Sequence, residues 1–471
     1  MRGPATRRTL GLIVGAAALG LFAGSALAQF GGPGGPGGPG GQGGGRGRAG
    51  GTPITPEAVT LPTSWEAVTG PGPMFNSAPS HMPGHAPADY GYQTLEYFVS
   101  GMAGGQPYTT RVVIRRPGND ADYSGLVLAE SMHSSGAAHA FEYTSLYTMD
   151  AGHAAVEILT TSPQQLITPS NPERYGRLAV PEGQSSEILA QVGALIKSSD
   201  GPMGSLAVRK MVLGGTSMSS GTLINYLAVH PRYRTPGMQH IYDGYFPTSN
   251  GSEIPRIDVP VVHVPTMHEV ESNVTRRNDG DAAGDQYRLY EFSGIGHVDS
   301  RDNVRLLPNP CANPLSTYPT QAYFAVALHH LMRWVDEGIV PPKADRIWID
   351  RNIENDGTQM ALDEHGNPVG GIRNPYVDVP VASYDPVNTA ADPAPAVVSD
   401  WVRATNGGAG IMCRLSAFQT SFSAEELREL YGSPRNFRRA FEESLDALEA
   451  QGWSLPQYHE IILADAAAVE F

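Results

Sequence analysis

Apolar runs alternate with segments of helical period through the middle of the chain, which predicts a mostly parallel sheet covered on both faces. Leu95–Ser100 and Tyr108–Ile114 read as two strands around a Gly-rich turn, a hairpin at a sheet edge, with ordered structure beginning near Tyr90. Strand Leu126–Glu130, a helical stretch to about Asp150, strand Ala154–Leu159, a helix through Ile188, Leu189, Val192, Leu195 and Ile196, and strand Val208–Leu213 follow in turn. Strands Val259–Val264 and Tyr287–Phe292 precede a long helix from about Pro319 to Glu337, with Phe324, Leu328, Leu331 and Val335 on its buried face and Gly338 as its stop. From about Ala344 to Asp400 the chain is rich in Pro, Asn and Asp and reads as irregular. Ser423-Ala424-Glu425-Glu426 is a capping box opening a helix that ends at Gly432. Pro434 opens another helix, with Phe437, Phe441, Leu445 and Leu448 on one stripe and Gly452 as its stop. These amphipathic C-terminal helices are expected to pack on the main domain.

The N-terminus changes the picture of where the protein works. Arg2, Arg7 and Arg8 precede an apolar run from Leu10 to Ala23 and then Ala26-Leu27-Ala28, the pattern of a cleavable secretory signal. The expected organisation is a signal over residues 1–28, a Gly/Pro-rich flexible linker over 29–52, an α/β domain over 53–343 and a C-terminal extension over 344–471. An exported protein, periplasmic or secreted, is expected, with no membrane span in its mature part. The formal net charge of −15 and the absence of a basic stripe argue against nucleic acid and anionic membranes as partners. Only Cys311 and Cys413 are present, which excludes a cysteine-rich metal cluster; in an oxidising compartment they either form one bridge or stay two buried thiols.

Candidate chemistry concentrates at Gly214-Gly215-Thr216-Ser217-Met218-Ser219-Ser220-Gly221, between an apolar strand and a helical pattern. A nucleophile on a sharp strand-to-helix turn needs small residues two before and two after it, because the two backbones nearly touch. Gly215 and Ser219 meet this around Ser217, and a register centred on Ser219 competes with it. Glu269 follows the strand ending at Val264, and His297 lies in a Gly-x-Gly-His loop past the next strand. Nucleophile, acid and histidine in that chain order, with acid and base each at a strand's carboxyl end, is what an α/β-hydrolase fold requires. The backbone N–H of Met218 and one from His133 or Ser134 are the expected oxyanion donors. Asp279, Asp281 and Asp285 echo a calcium loop that lacks its closing glutamate, and His268 beside Glu269 is no ligand set, so no metal or cofactor is expected.

From about Gly91 to the end the chain resembles the large exported α/β-hydrolase-domain proteins of bacteria that carry a C-terminal helical extension. The resemblance runs through Tyr92–Gly101, Tyr108–Arg111, Glu173–Gly176, the turn at Ser217, the loop at His297, Trp334–Gly338 and Leu430–Gly432. In that family the turn reads G-x-S-Q-S, which puts the nucleophile on Ser217 and matches Met218 to the glutamine; its acid lies in a stretch that Thr266-Met267-His268-Glu269 resembles. His133-Ser134-Ser135 departs from the family's Asn-Val-Ser-like stretch. The expected function is hydrolysis of a small-molecule or polymeric carboxylic ester through an acyl-enzyme by Ser217, His297 and Glu269. An amidase, peptidase or transacylase with the same triad, a catalytically silent binding protein of this fold, and an extracellular structural protein are the rivals.

Overall fold

The computed structural model describes residues 54–160, 165–272, 274–301, 303–350, 360–404 and 407–471. The expected signal and the whole of the expected linker lie outside them. Residues 54–471 form one compact unit, so the C-terminal extension shares its core with the α/β domain.

Ten strands make one sheet: β1 (Ser64–Ala67), β2 (Tyr92–Ala103), β3 (Gln106–Pro117), β4 (Leu126–Ser131), β5 (Ala154–Ile158), β6 (Lys210–Thr216), β7 (Gly244–Thr248), β8 (Val261–His263), β9 (Gly280–Ala282) and β10 (Asp285–Leu289). Their order across the sheet is β9-β10-β8-β7-β6-β4-β5-β3-β2-β1. The strands from β10 to β5 run parallel, while β1, β2 and β3 at one side and β9 at the other are antiparallel.

The central strands read as unbroken apolar runs because both faces are buried. Successive side chains alternate between the faces: Leu128, Val212, Phe246 and Val262 enter one hydrophobic cluster, Val127, Ala129, Met211, Leu213, Tyr245 and Val261 the other. Two helices, α3 (Ser185–Ile196) and α4 (Met218–Leu227), cover the second face with Ile188, Leu189, Val192 and Leu223. On the first face lie α1 (His139–Glu142), α2 (Ser145–Asp150) and α6 (Thr320–Glu337), while the five-residue α5 (Met267–Glu271) follows β8. The extension adds α7 (Gly408–Leu415), α8 (Ala424–Tyr431), α9 (Pro434–Ala450) and α10 (His459–Ala467). Phe437, Phe441, Leu445 and Leu448 of α9 join the same cluster as Phe324 and Leu328 of α6, and Trp453 packs edge-on to Tyr290 at 4.8 Å. A disulfide joins Cys311, in the loop before α6, to Cys413 of α7.

One sequence reading is corrected and one strand had no sequence signal. Ordered structure starts earlier than Tyr90: Glu57–Ala58 pairs with Tyr233–Arg234, and β1 forms the outer edge beyond the predicted hairpin. The central strand β7 escaped the pattern because Gly244 and Pro247 interrupt its five residues. Gly244 is needed there, since a Cβ would lie 2.6 Å from Val335 of α6. Asp279, Asp281 and Asp285 flank or lie in β9 and β10, where Arg346 pairs with Asp279 at 2.7 Å, Lys343 with the exposed Asp281 at 2.8 Å and Arg256 with Asp285 at 3.0 Å.

The buried histidines carry a pH prediction. Burial holds His153, His263, His268 and His330 neutral, each down to about 4 from the usual histidine range. As pH falls from about 6.5 toward 4 the unfolded chain takes up protons that these folded groups refuse, so stability present at neutral pH is lost across that window. Glu130, pushed up to about 8 by burial, opposes the trend, one group against four. The thermal midpoint, followed by calorimetry, is expected to drop steeply between pH 6.5 and 4; a flat midpoint there contradicts this.

Candidate active site

Ser217 sits at the turn between β6 and α4 with φ 55° and ψ −116°, a left-handed conformation that only a tightly determined turn imposes on a serine. A Cβ on Gly215 would fall 2.7 Å from the Ser219 carbonyl oxygen, so the position two before the serine has no room for a side chain. Ser219 is buried; its Oγ donates to the Thr216 carbonyl and accepts from the Thr216 N–H, each at 2.9 Å. That hydroxyl is consumed in building the turn, whereas Ser217 Oγ points to His297. Ser217 N–H donates to the Thr248 carbonyl at 3.0 Å, and Asn250 Nδ2 donates to the Ser217 carbonyl at 3.3 Å, tying the turn to the end of β7.

His297 Nε2 lies 2.9 Å from Ser217 Oγ, and His297 Nδ1 lies 2.5 Å from Glu269 Oε1. Three carboxyl ends, those of β6, β8 and β10, deliver the three side chains to one point. The other Glu269 oxygen, Oε2, accepts from the Thr266 N–H at 2.8 Å and the Thr266 hydroxyl at 2.7 Å, a capping arrangement at the start of α5. Burial would raise this carboxyl, but the His297 ring, His268 and the Thr266 hydroxyl outweigh it and bring Glu269 down to about 2. An ionised carboxylate here accepts a hydrogen bond from Nδ1–H, which fixes that tautomer and leaves Nε2 free to accept a proton from serine.

The histidine loop has its own constraints. Met267 N–H donates to the Ile295 carbonyl at 3.0 Å, bonding the acid's helix to the histidine's loop. Gly294 has φ 108° and a Cβ there would sit 2.3 Å from the Tyr318 ring, so glycine is required. The His268 ring meets His297 edge-on at 5.4 Å and is held neutral by burial, then by His297 and Arg414, at about 4.

Of the expected oxyanion donors, the Met218 N–H is in the first turn of α4, where helix geometry offers no internal acceptor. The Ser134 hydroxyl donates to Met218 Sδ at 3.0 Å, which brings the loop after β4 to the same place. The reading that His133 supplies a donor is corrected: its N–H is committed to the Ala137 carbonyl at 2.9 Å, leaving Ser134 as the loop's candidate. His133 Nδ1 instead meets Ser135 Oγ at 2.7 Å and its ring packs on His139 at 4.9 Å, and burial keeps it neutral.

Residues 59–464 match the alpha/beta hydrolase domain family. The chain belongs to that family. Solved structures similar to this alpha/beta hydrolase include a brefeldin A esterase described as a bacterial homologue of human hormone-sensitive lipase, with 11% identity, coverage of 36% of this chain and 42% of that one, and a TM-score of 0.25. A cold-adapted esterase from an Arctic intertidal metagenomic library has 14% identity, coverage of 42% and 83%, and a TM-score of 0.24. A fungal esterase from Rhizomucor miehei has 12% identity, coverage of 34% and 45%, and a TM-score of 0.23. The match spans less than half the length of the brefeldin A esterase. No curated protein matches this sequence.

Sequence reasoning gave Thr266 no role of its own, although Thr-x-x-Glu is a capping signal that points to it. Asn250 had no signal, being placed by the fold alone. Among the described residues, His230, His240 and Asp258 bring metal-ligand atoms together, yet His230 Nε2 bonds Asp258 at 2.6 Å and the Arg234 guanidinium lies 3.7 Å from that carboxylate, a positive charge where a cation would bind. No helix among the described residues is long and apolar enough to cross a membrane.

Proposed function

We propose that this alpha/beta hydrolase is an exported serine hydrolase that cleaves carboxylic esters through an acyl-enzyme. One observation carries the reading: an unbroken chain from Ser217 Oγ through His297 to the Glu269 carboxylate, at 2.9 and 2.5 Å. Ser217 Oγ attacks the ester carbonyl carbon while its proton passes to His297 Nε2. The negative charge that develops on the carbonyl oxygen is met by the N–H groups of Met218 and Ser134, and Glu269 stabilises the imidazolium. His297 then returns the proton to the departing alkoxide. A water, deprotonated by the same nitrogen, attacks the acyl carbon and releases the acid and Ser217. Export is supported by the N-terminal sequence pattern and by the Cys311–Cys413 bridge, which suits an oxidising compartment.

A fluorophosphonate probe is expected to label one site, the peptide containing Ser217, and purified protein is expected to turn over 4-nitrophenyl butyrate. Folded protein that neither labels nor turns over esters sinks the reading in favour of a silent binding protein. Labelling without ester turnover, together with hydrolysis of the matching anilide, moves it to the amidase class.

A further inference from the structure

Segment Arg414–Ala417, at the end of α7, lies directly against the loop that carries His297. Val298 N–H donates to the Leu415 carbonyl at 3.0 Å, and Val298 bridges Ser416 in parallel register. Gly296 has no room for a side chain because Ala417 Cβ would be 2.5 Å away. On its other side the segment is fastened by the Cys413–Cys311 disulfide and by Asn388 N–H, shared between the Cys413 and Ser416 carbonyls at 3.2 Å. Arg414 therefore stands between a covalent anchor and the residue bonded to His297's neighbour.

The Arg414 side chain is exposed, and among the described residues it makes no ion pair or side-chain hydrogen bond. Two other charged groups near the site are paired. Arg305 is paired with Glu142 at 3.0 Å, and Glu269 is paired with His297. Burial keeps His268, which faces His297 and senses the charge of Arg414, uncharged at neutral pH. His133 and His139 are lowered as well, burial being the main cause in both. Among the described residues Arg414 is thus an exposed, unpaired cation on the segment that lies against the histidine loop, in a chain whose net charge is −15.

Building on the ester-hydrolase reading above, we propose that Arg414 is the recognition point for a free carboxylate on the substrate, so that the preferred esters are monoesters of dicarboxylic acids. A guanidinium offers a planar pair of donors matched to a carboxylate. The disulfide and the Val298–Leu415 bond hold its backbone in place, which limits the entropy lost when the substrate docks.

The test compares 4-nitrophenyl monoesters of succinate, glutarate and adipate with the neutral 4-nitrophenyl butyrate. Wild type is expected to favour at least one monoester. Arg414→Gln is expected to lower the monoester-to-butyrate ratio of kcat/KM by about tenfold, chiefly through KM, as for a lost hydrogen bond to a charged group. Arg414→Lys should restore part of the ratio, and added salt should shrink the wild-type preference. The same ratio in wild type and Arg414→Gln across the series overturns the proposal. Absence of turnover with every ester fails the ester-hydrolase reading instead. In that event calorimetric titration with glutarate decides the subsite: binding lost in Arg414→Gln supports it, and no binding or equal binding overturns it.

Discussion

Ser217→Ala is expected to remove ester turnover, by about 10³-fold or more in rate, while leaving the thermal midpoint where it was. Alanine keeps the Cβ and the left-handed backbone of the turn, so the fold sees little change, whereas the oxygen 2.9 Å from His297 Nε2 is gone. Ser219→Ala is the matched control. Its hydroxyl bonds only Thr216, so its loss strips two hydrogen bonds from the turn and is expected to lower stability by about 1–3 kcal/mol while turnover persists. Kinetics with 4-nitrophenyl butyrate and a melt of each variant give the answer. Activity lost in Ser219→Ala and retained in Ser217→Ala would move the nucleophile two residues along the chain.

Glu269→Gln is expected to reduce turnover near neutral pH by up to about 10⁴-fold, an effect as large as removing the nucleophile. The environment of the carboxylate dictates how the amide must sit. Thr266 presents two donors, its N–H and its hydroxyl, to Oε2, so the amide oxygen of glutamine takes that place and its NH2 group faces His297 Nδ1. An NH2 donor there forces the imidazole proton onto Nε2, the nitrogen that has to accept from Ser217. The geometry survives and the tautomer is wrong. Asp279, Asp281 and Asp285, the alternative acids, are each held by an arginine or lysine. Wild-type activity in Glu269→Gln, with collapse in one of those aspartate variants, would transfer the acid to that aspartate.

The two effects differ in how far they could be anticipated from the chain. A nucleophile turn is local: an apolar strand, Gly215, a serine and a helix within a dozen residues carry their own signal. The strands around it are equally legible where they are long and apolar, as in β4 and β6. The pattern fails at β7, whose Gly244 and Pro247 look like turn residues until the packing of Val335 is known. The donor assignment at His133 failed for a related reason, because a loop's own hydrogen bonds are invisible to residue type. Only the turn through Ala137 reveals that this N–H is occupied.

What the sequence determined by itself is the class of fold, the chain order of Ser217, Glu269 and His297, and the amphipathic faces of the C-terminal helices, because each is written in periodicity or in spacing within one element. What tertiary structure alone decided is which further groups meet: Thr266 on the far oxygen of Glu269, Asn250 on the Ser217 carbonyl, and Arg414 beside the histidine loop more than a hundred residues before it. Such contacts arise from the closing of long loops around a shared core. No local pattern encodes them, since the cost of closing the loop and the burial that repays it belong to the whole chain.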